Sequence, residues 1–233
     1  MNLLTISGET IAIITLYGDN RHQEVTAWHR KVMVDHFQLP VNYVKGNFPY
    51  QSHGWHMNQL LAQTVDLADA PTYYLFLDND AIFLRKDAMN LIYSLVRNKI
   101  TLFGQAWESR HKKGPNGFYE HPYCSQAMIC FSRLMYNNLG RPDMDHWISR
   151  SDTAEEMTYE AEKKGYILAL AYPSHSVDPN TPLGNGCRQG FGNTYGPTPG
   201  WFYHCSQAPN PRHVEVFVEK CKEVLAGKFD ISK

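Results

Sequence analysis

No segment of this chain is apolar for the roughly 20 residues that a bilayer-spanning helix requires, and none carries a long run of one sign of charge. Its 22 basic and 23 acidic side chains leave a net charge of −1. That excludes the basic field through which proteins hold nucleic acid, and equally an acidic tail. Cysteine is sparse and badly spaced for a framework. Cys124, Cys130, Cys187, Cys205 and Cys221 are odd in number, with no CxxC pair and no finger-like spacing. A disulfide scaffold and structural zinc are both disfavoured, and the reduced thiols of a cytosol fit better. The opening "MNLLTISGETIAIITLYG" lacks a basic leader and is interrupted by Glu9, so no signal peptide is expected. There is no internal repeat and no low-complexity tail. These absences predict a soluble, cytoplasmic protein with no nucleic-acid partner and no transmembrane segment.

What is present is a core. Of the 233 residues 43% are hydrophobic and 13% aromatic, enough for one sizeable α/β domain. Apolar runs alternate with amphipathic stretches. "IAIITLY" (11–17) is apolar on both faces, as a strand covered by helices on both sides must be. After the turn residues Gly18, Asp19 and Asn20, the positions of Val25, Trp28, Val32 and Met33 predict one helix through residues 21–37. "VNYV" (41–44) is the next strand. Met57, Leu60, Leu61, Thr64 and Ala68 mark a second helix, and "YYLFLD" (73–78) a third strand. Asp87 reads as the N-cap of a helix carrying Ala88, Leu91, Ile92, Leu95 and Val96. "ITLFGQAW" and "SQAMICFS" read as strands either side of a polar loop, 108–123. A charged helix over about 153–164 ends at Gly165, before the strand "YILALAY". Residues 173–200, rich in Gly, Pro and Asn, are too long a stretch for a mere connector. Asn210 and Pro211 open a last helix, about 211–226, closed by Gly227. The order predicts a single α/β domain over 1–233, its central sheet mixed but mostly parallel, with helices on both faces.

One feature of that pattern is out of place. "YYLFLDNDAIFL" (73–84) is a run of strand-forming apolar residues that carries Asp78 and Asp80 one residue apart. In open α/β sheets ligands bind beyond the carboxyl ends of the strands. Alternation sends residues two apart to one side, so both carboxylates emerge together at that rim while Asn79 faces away. Two carboxylates this close repel, and one is pushed toward protonation. A divalent cation removes that cost, and hard oxygen ligands suit magnesium or manganese, which complete their shells with phosphate and water. The same spacing also occurs in helix caps and strand-end ion pairs. Its position at the end of a buried strand favours the cation, because an uncompensated carboxylate there is expensive.

With these residues in view the chain resembles the nucleotide-sugar-dependent glycosyltransferases of the GT-A fold, a Rossmann-like architecture with an Asp-X-Asp motif. The resemblance runs over residues 10–206 and rests on short motifs. It implies a donor-binding half of about 10–106, an acceptor-binding half of about 107–206, and a terminal helix. It places "LYGDNR" (16–21) at the nucleotide base and ribose, with Tyr17, Asp19 and Asn20 as candidate contacts. "HGWHMNQLL", with Asn58 and Gln59, takes the place of the donor-side helix. Asp78 would touch the ribose or the metal, Asp80 the metal, and Asn79 joins the donor contacts. "SQAMICFSR" resembles the strand lining the sugar pocket, through Ser125 and Gln126. "WFYHC" resembles the late segment in which a histidine adds a third metal contact, here His204, with His175 in reserve. A histidine among aromatics is also an ordinary packed residue. "SDTAEEMTYEAEKKGY" (151–166) resembles the acidic helix that supplies the general base in inverting members, with Glu155, Glu156 and Asp152 as candidates. Asp152 to Glu155 and Thr153 to Glu156 also have capping-box spacing. No clear Glu-Asp or Asp-Asp pair stands there, so inverting and retaining chemistry both stay open.

The function implied is transfer of a sugar from a nucleoside diphosphate sugar to a hydroxyl acceptor such as a glycan, with Mn2+ or Mg2+ as cofactor. UDP is favoured because Tyr17 can stack on uracil. Residues 108–123 and 176–199 would be acceptor and lid loops, with Lys112, Lys113 and Arg188 near phosphate. Two other readings compete. Haloacid-dehalogenase-like phosphatases also end a strand in Asp-X-Asp, but near the N-terminus, with Gly or Thr following and a later Gly-Asp-x-x-x-Asp. Here two β-α units precede the motif and Ala81 follows it. A non-catalytic protein that binds nucleotide sugar or glycan is the other.

Overall fold

The computed structural model describes residues 1–18, 23–47, 51–109, 122–145, 152–183, 186–206 and 210–230. The chain opens with a hairpin, β1 (Leu4–Ile6) and β2 (Glu9–Tyr17), turned by Ser7 and Gly8, both at positive φ. Helix α1 (Gln23–Arg30) follows and runs directly into a π-helical segment, Lys31–His36, where a single helix was expected. Then come β3 (Val41–Lys45), α2 (His53–Thr64) and β4 (Tyr73–Asp78). β5 (Ala81–Phe83), α3 (Ala88–Val96), β6 (Thr101–Trp107) and β7 (Tyr123–Ser132) continue the chain. Two helices, α4 (Arg133–Asn138) and α5 (Glu155–Lys163), precede β8 (Ile167–Ala171).

The central sheet has seven strands in the order β1-β2-β4-β7-β6-β8, with β3 also paired to β2. β3, β2 and β4 are mutually parallel, and β8 is parallel to β6. β7 runs antiparallel to both β4 and β6. Two antiparallel steps return β6 to the direction of β4, so five of the seven strands point one way and share one carboxyl-end rim. This is the mixed, mostly parallel sheet that the pattern predicts.

Both faces are covered, for the reason legible in "IAIITLY". Ile11, Ile13, Tyr73, Leu75 and Leu77 pack on one side with Val25 of α1, Ile92 of α3 and Phe217 of the terminal helix. Ala12, Ile14, Leu16, Tyr74 and Phe76 pack on the other with Leu61 of α2, Met135 of α4 and Met157 of α5. Period-two alternation thus divides a single strand between two cores.

The stretch expected to form a lid loop instead carries several short strands. β9 (Pro173–Val177), β12 (Gly192–Tyr195) and β13 (Phe202–Cys205) join β5 in a four-stranded antiparallel sheet. A ribbon of β10 (Thr181–Pro182) and β11 (Arg188–Gln189) lies between β9 and β12 in sequence. Glycine here permits close approach rather than mobility: a Cβ at Gly190 would stand 1.7 Å from the Val177 carbonyl oxygen. The last helix, α6 (Pro211–Leu225), is capped by Asn210, whose side-chain oxygen accepts from the Arg212 backbone N–H. Asp87 precedes α3 without capping it, because its carboxylate is held by Arg85 at 2.7 and 2.5 Å. All five cysteines are free thiols. Among the described residues no helix is long and apolar enough to cross a membrane.

Candidate metal centre

β4 delivers Asp78 to the rim, and the chain then leaves the central sheet through a tight turn at Asn79 and Asp80. What holds the turn is visible on both sides. The Asn79 amide donates to the Thr26 hydroxyl of α1 at 2.9 Å, which ties the turn to that helix. The Asp80 carbonyl accepts from the Cys205 N–H at 2.9 Å, which starts the β5–β13 ladder and pairs Ala81 with His204. The second sheet therefore carries a histidine to the aspartate turn from more than 120 positions later in the chain.

The three side chains converge. Asp78, Asp80 and His204 each offer a ligand atom, and these atoms all lie within 4.8 Å of one another. His204 Nε2 is 3.4 Å from an Asp80 carboxylate oxygen, and both side chains are almost fully buried. Burial by itself lowers the His204 pKa. The Asp80 charge, its hydrogen bond and the Asp78 charge outweigh that, and the net shift is upward. The other ring nitrogen, Nδ1, is buried with no hydrogen-bond partner. His53, in the first turn of α2, brings Nδ1 to 3.9 Å from Asp78. Beneath the turn His29 is fully buried and held neutral, its pKa pushed down to about 3 by burial against the opposing pull of the Asp80 charge. Its Nδ1 meets the Tyr43 hydroxyl at 2.7 Å.

Two carboxylates and an imidazole make a donor set that suits a divalent metal of the manganese or magnesium type, the nitrogen favouring manganese. Adjacent ligands on such a cation stand roughly 3 Å apart, close to the Asp80–His204 separation.

The remaining candidates fall into separate groups. Tyr17 ends β2 at the same rim, half-buried and edge-on to Tyr43. The β4–β7 pairing stops at Leu77 and Met128, so Ser125 and Gln126 lie on β7 just past it, with Ser125 paired to Gln105 of β6. Ser125 donates to the Gln126 side-chain oxygen at 3.2 Å and accepts from the Ala127 N–H. Asn58 is turned elsewhere. Its amide donates to Asp143 and its oxygen accepts from the Met144 N–H, a tie between α2 and the chain before α5. Gln59 is exposed on α2, and His175 is exposed on β9. Arg188 donates to the carbonyls of Pro179 and Asn180, which fixes the ribbon. Asp19, Asn20, Lys112 and Lys113 lie outside the described residues, as does most of the loop 108–123.

Glu155 has no exposed surface. One carboxylate oxygen accepts from the Asp152 N–H at 2.5 Å, the other from the Tyr159 hydroxyl at 2.6 Å. Both bonds lie at the start of α5, and with no exposed surface the carboxylate is shut away from an acceptor hydroxyl. Asp152 is half-buried and accepts from the Thr153 N–H at 2.8 Å and the Tyr123 hydroxyl at 3.0 Å. Glu156 is half-buried in the first turn of α5.

Sequence reasoning passed over Gln105 and Trp107. Gln105 is fully buried with neither amide atom hydrogen-bonded. Its signal was a lone amide inside the apolar run "ITLFGQAW". Trp107 ends β6 with its ring centroid 6.2 Å from that of His204. Only the return of β13 makes them neighbours.

No family model and no curated protein matches the chain. Among solved structures it is similar to the catalytic domain of Drosophila beta1,4-galactosyltransferase 7, crystallised with xylobiose. Identity is 13% and the TM-score 0.41, over 77% of this chain and 69% of that one. It is also similar to a glycosyltransferase involved in glycosylation of the major capsid of PBCV-1. There identity is 11% and the TM-score 0.39, over 68% and 81%. Scores this low carry no weight for function, which has to be read from the site. What fold and site define together is an α/β protein with an acidic, histidine-completed centre at the carboxyl-end rim of its sheet.

Proposed function

We propose that this protein is a metal-dependent glycosyltransferase, moving a sugar from a nucleoside diphosphate sugar to a hydroxyl acceptor, with a UDP-sugar as the favoured donor and a glycan as the acceptor. The observation that carries the reading is the convergence of Asp78, Asp80 and His204 at the rim where open α/β sheets bind ligands. Asp78 and Asp80 would hold Mn2+, or Mg2+, through carboxylate oxygens and His204 through Nε2. When bound, the cation supplies positive charge against the negative charge that grows on the diphosphate as the glycosidic bond breaks. Burial of Asp80 and His204 keeps water from that side, which strengthens their attraction for a cation. Asn79, tied to Thr26, holds the turn that aims both carboxylates. Tyr17, at the end of β2, presents an aromatic ring for the base.

For the proton leaving the acceptor hydroxyl in an inverting transfer, Asp152 is our choice among the three acidic candidates. Tyr123, which orients its carboxylate, pairs across the ladder with Trp107, the residue whose ring stands beside His204. A carboxylate held by two donors still has lone pairs to accept a third.

Calorimetric titration of UDP with and without Mn2+ tests the proposal. Binding that requires the metal is expected. UDP that binds equally well without it, or turnover of an aryl phosphate with nucleotide sugar untouched, would overturn the reading in favour of a lectin-like or phosphatase role.

A further inference from the structure

A cavity of about 310 Å³ lies between the β10–β11 ribbon, the end of β6 and the start of α6. It is at the small end of the roughly 300–1,000 Å³ typical of small-molecule sites. Two features show that it is built for a polar occupant. Gln189, 3% exposed, lines it with a side-chain oxygen that has no hydrogen-bond partner. Ser206 lines it with a hydroxyl that is also buried and unpaired. Buried polar atoms are rarely left unsatisfied, because each forfeits the water it had in the unfolded chain. An acceptor oxygen on one wall and a hydroxyl on another call for a ligand that both donates and accepts.

The charge balance narrows the class. Among the described lining residues Arg212 is the only lysine or arginine, and it is paired to Asp178 at 3.0 Å. Its guanidinium also lies over the Phe191 ring, 5.3 Å from the centroid, and the His213 ring stacks on Phe191 at 4.1 Å. A cation already matched by a carboxylate does not make a seat for phosphate. Amides, hydroxyls, a neutralised ion pair and the half-exposed indole of Trp107 are instead the complement of a neutral sugar, which offers hydroxyls at its rim and a C–H face for an aromatic ring.

The cavity is also fixed to the metal centre. Trp107 walls it and stands 6.2 Å, ring to ring, from His204, and Ser206 is two residues past His204. Its floor is rigid, because Asn193 exchanges hydrogen bonds with the Gly190 N–H and C=O at 2.9 Å each. We infer that this cavity is a saccharide subsite, holding an uncharged sugar ring of the acceptor beside the Asp78–Asp80–His204 centre. The inference rests on the transferase reading for the word acceptor. The saccharide chemistry stands on the cavity itself.

Saturation-transfer NMR on the full chain, without metal or nucleotide, tests it. The probes are the methyl glycosides of glucose, galactose, mannose and N-acetylglucosamine, set against inorganic phosphate and glucose 6-phosphate. At least one neutral glycoside should bind, about tenfold more weakly in Gln189→Leu, the loss expected of one buried hydrogen bond. Ser206→Ala, a smaller change, should weaken the same glycoside and serves should Gln189→Leu not fold. Both variants should keep metal-dependent UDP binding. Preference for the phosphate-bearing probes would overturn the inference, as would glycoside affinity unchanged in both variants. A chain that binds Mn2+ and UDP but none of the glycosides would sink the subsite and leave the transferase reading standing. Glycoside binding lost in both variants, in a chain with no metal-dependent nucleotide binding, would keep the saccharide pocket and overturn that reading.

Discussion

Two acidic segments of this molecule are alike in sequence and opposite in circumstance. Asp78 and Asp80 stand two apart at the end of a strand; Asp152 and Glu155 stand three apart at the start of a helix. Glu155 finds its donors within four residues, in the Asp152 N–H and the Tyr159 hydroxyl, one to each oxygen. The aspartates of the turn face each other and an imidazole brought from a different sheet. A carboxylate that its near neighbours satisfy serves the local fold. Carboxylates gathered by tertiary contacts around one buried histidine are a place for a cation. Composition does not distinguish the two, and the distance along the chain to the partners does.

The contrast can be broken by experiment. The largest effect should come from Asp80→Ala, which removes a central ligand: metal-dependent UDP binding should be abolished while circular dichroism stays native. Retained binding in a folded variant would remove the site. Asp152→Asn should leave Mn2+ and UDP binding intact and cut transfer about 100-fold or more, the usual worth of a general base. Undiminished turnover would return the proton to another group. His204→Ala should weaken Mn2+ by at least about tenfold, since even partners behind a metal ligand are commonly worth that much. Equal affinity by titration would reduce the centre to its two carboxylates.

Two smaller effects concern stability. His29 is held neutral beneath the turn, with its folded pKa of about 3 below the ordinary 6.5. A depressed pKa means that folding opposes protonation, so this stability is complete above pH 6.5 and is lost as pH falls toward 3. The loss should reach about 2 kcal/mol by pH 5. Urea midpoints at pH 7 and pH 5 measure it, and a His29→Gln variant with the same pH slope would refute the assignment. Glu155→Gln should cost about 1 kcal/mol, as weakening a buried hydrogen bond to a charged group does, with UDP binding and turnover unchanged. A variant of normal stability but no turnover would make Glu155 catalytic after all.

Much of the fold could be read from period alone. The double-sided burial of residues 11–17 and 73–78, the order of alternating strands and helices, and the Asn210-Pro211 helix start all follow from local pattern. The misreadings have physical causes. Residues 176–199 look like loop because their strands are short and interrupted by Gly and Pro, and because the sheet they join reaches β5, far earlier in the chain, only through β13. The bonds of Asn58 to Asp143 and to the Met144 N–H are likewise invisible locally, since they reach 85 and 86 positions along the chain. Asp87 looks like a cap until Arg85 takes its carboxylate.

The sequence by itself determined that two carboxylates would stand at the end of a buried strand, because the apolar run before them is a local pattern and needs no partner. Only the tertiary structure decided what they meet. His204 arrives through the β5–β13 ladder, and the Gln189–Ser206 cavity forms where a ribbon, a strand end and a helix start come together. Those contacts join residues tens to more than a hundred positions apart. No short-range pattern records them, because they are set by how whole elements pack.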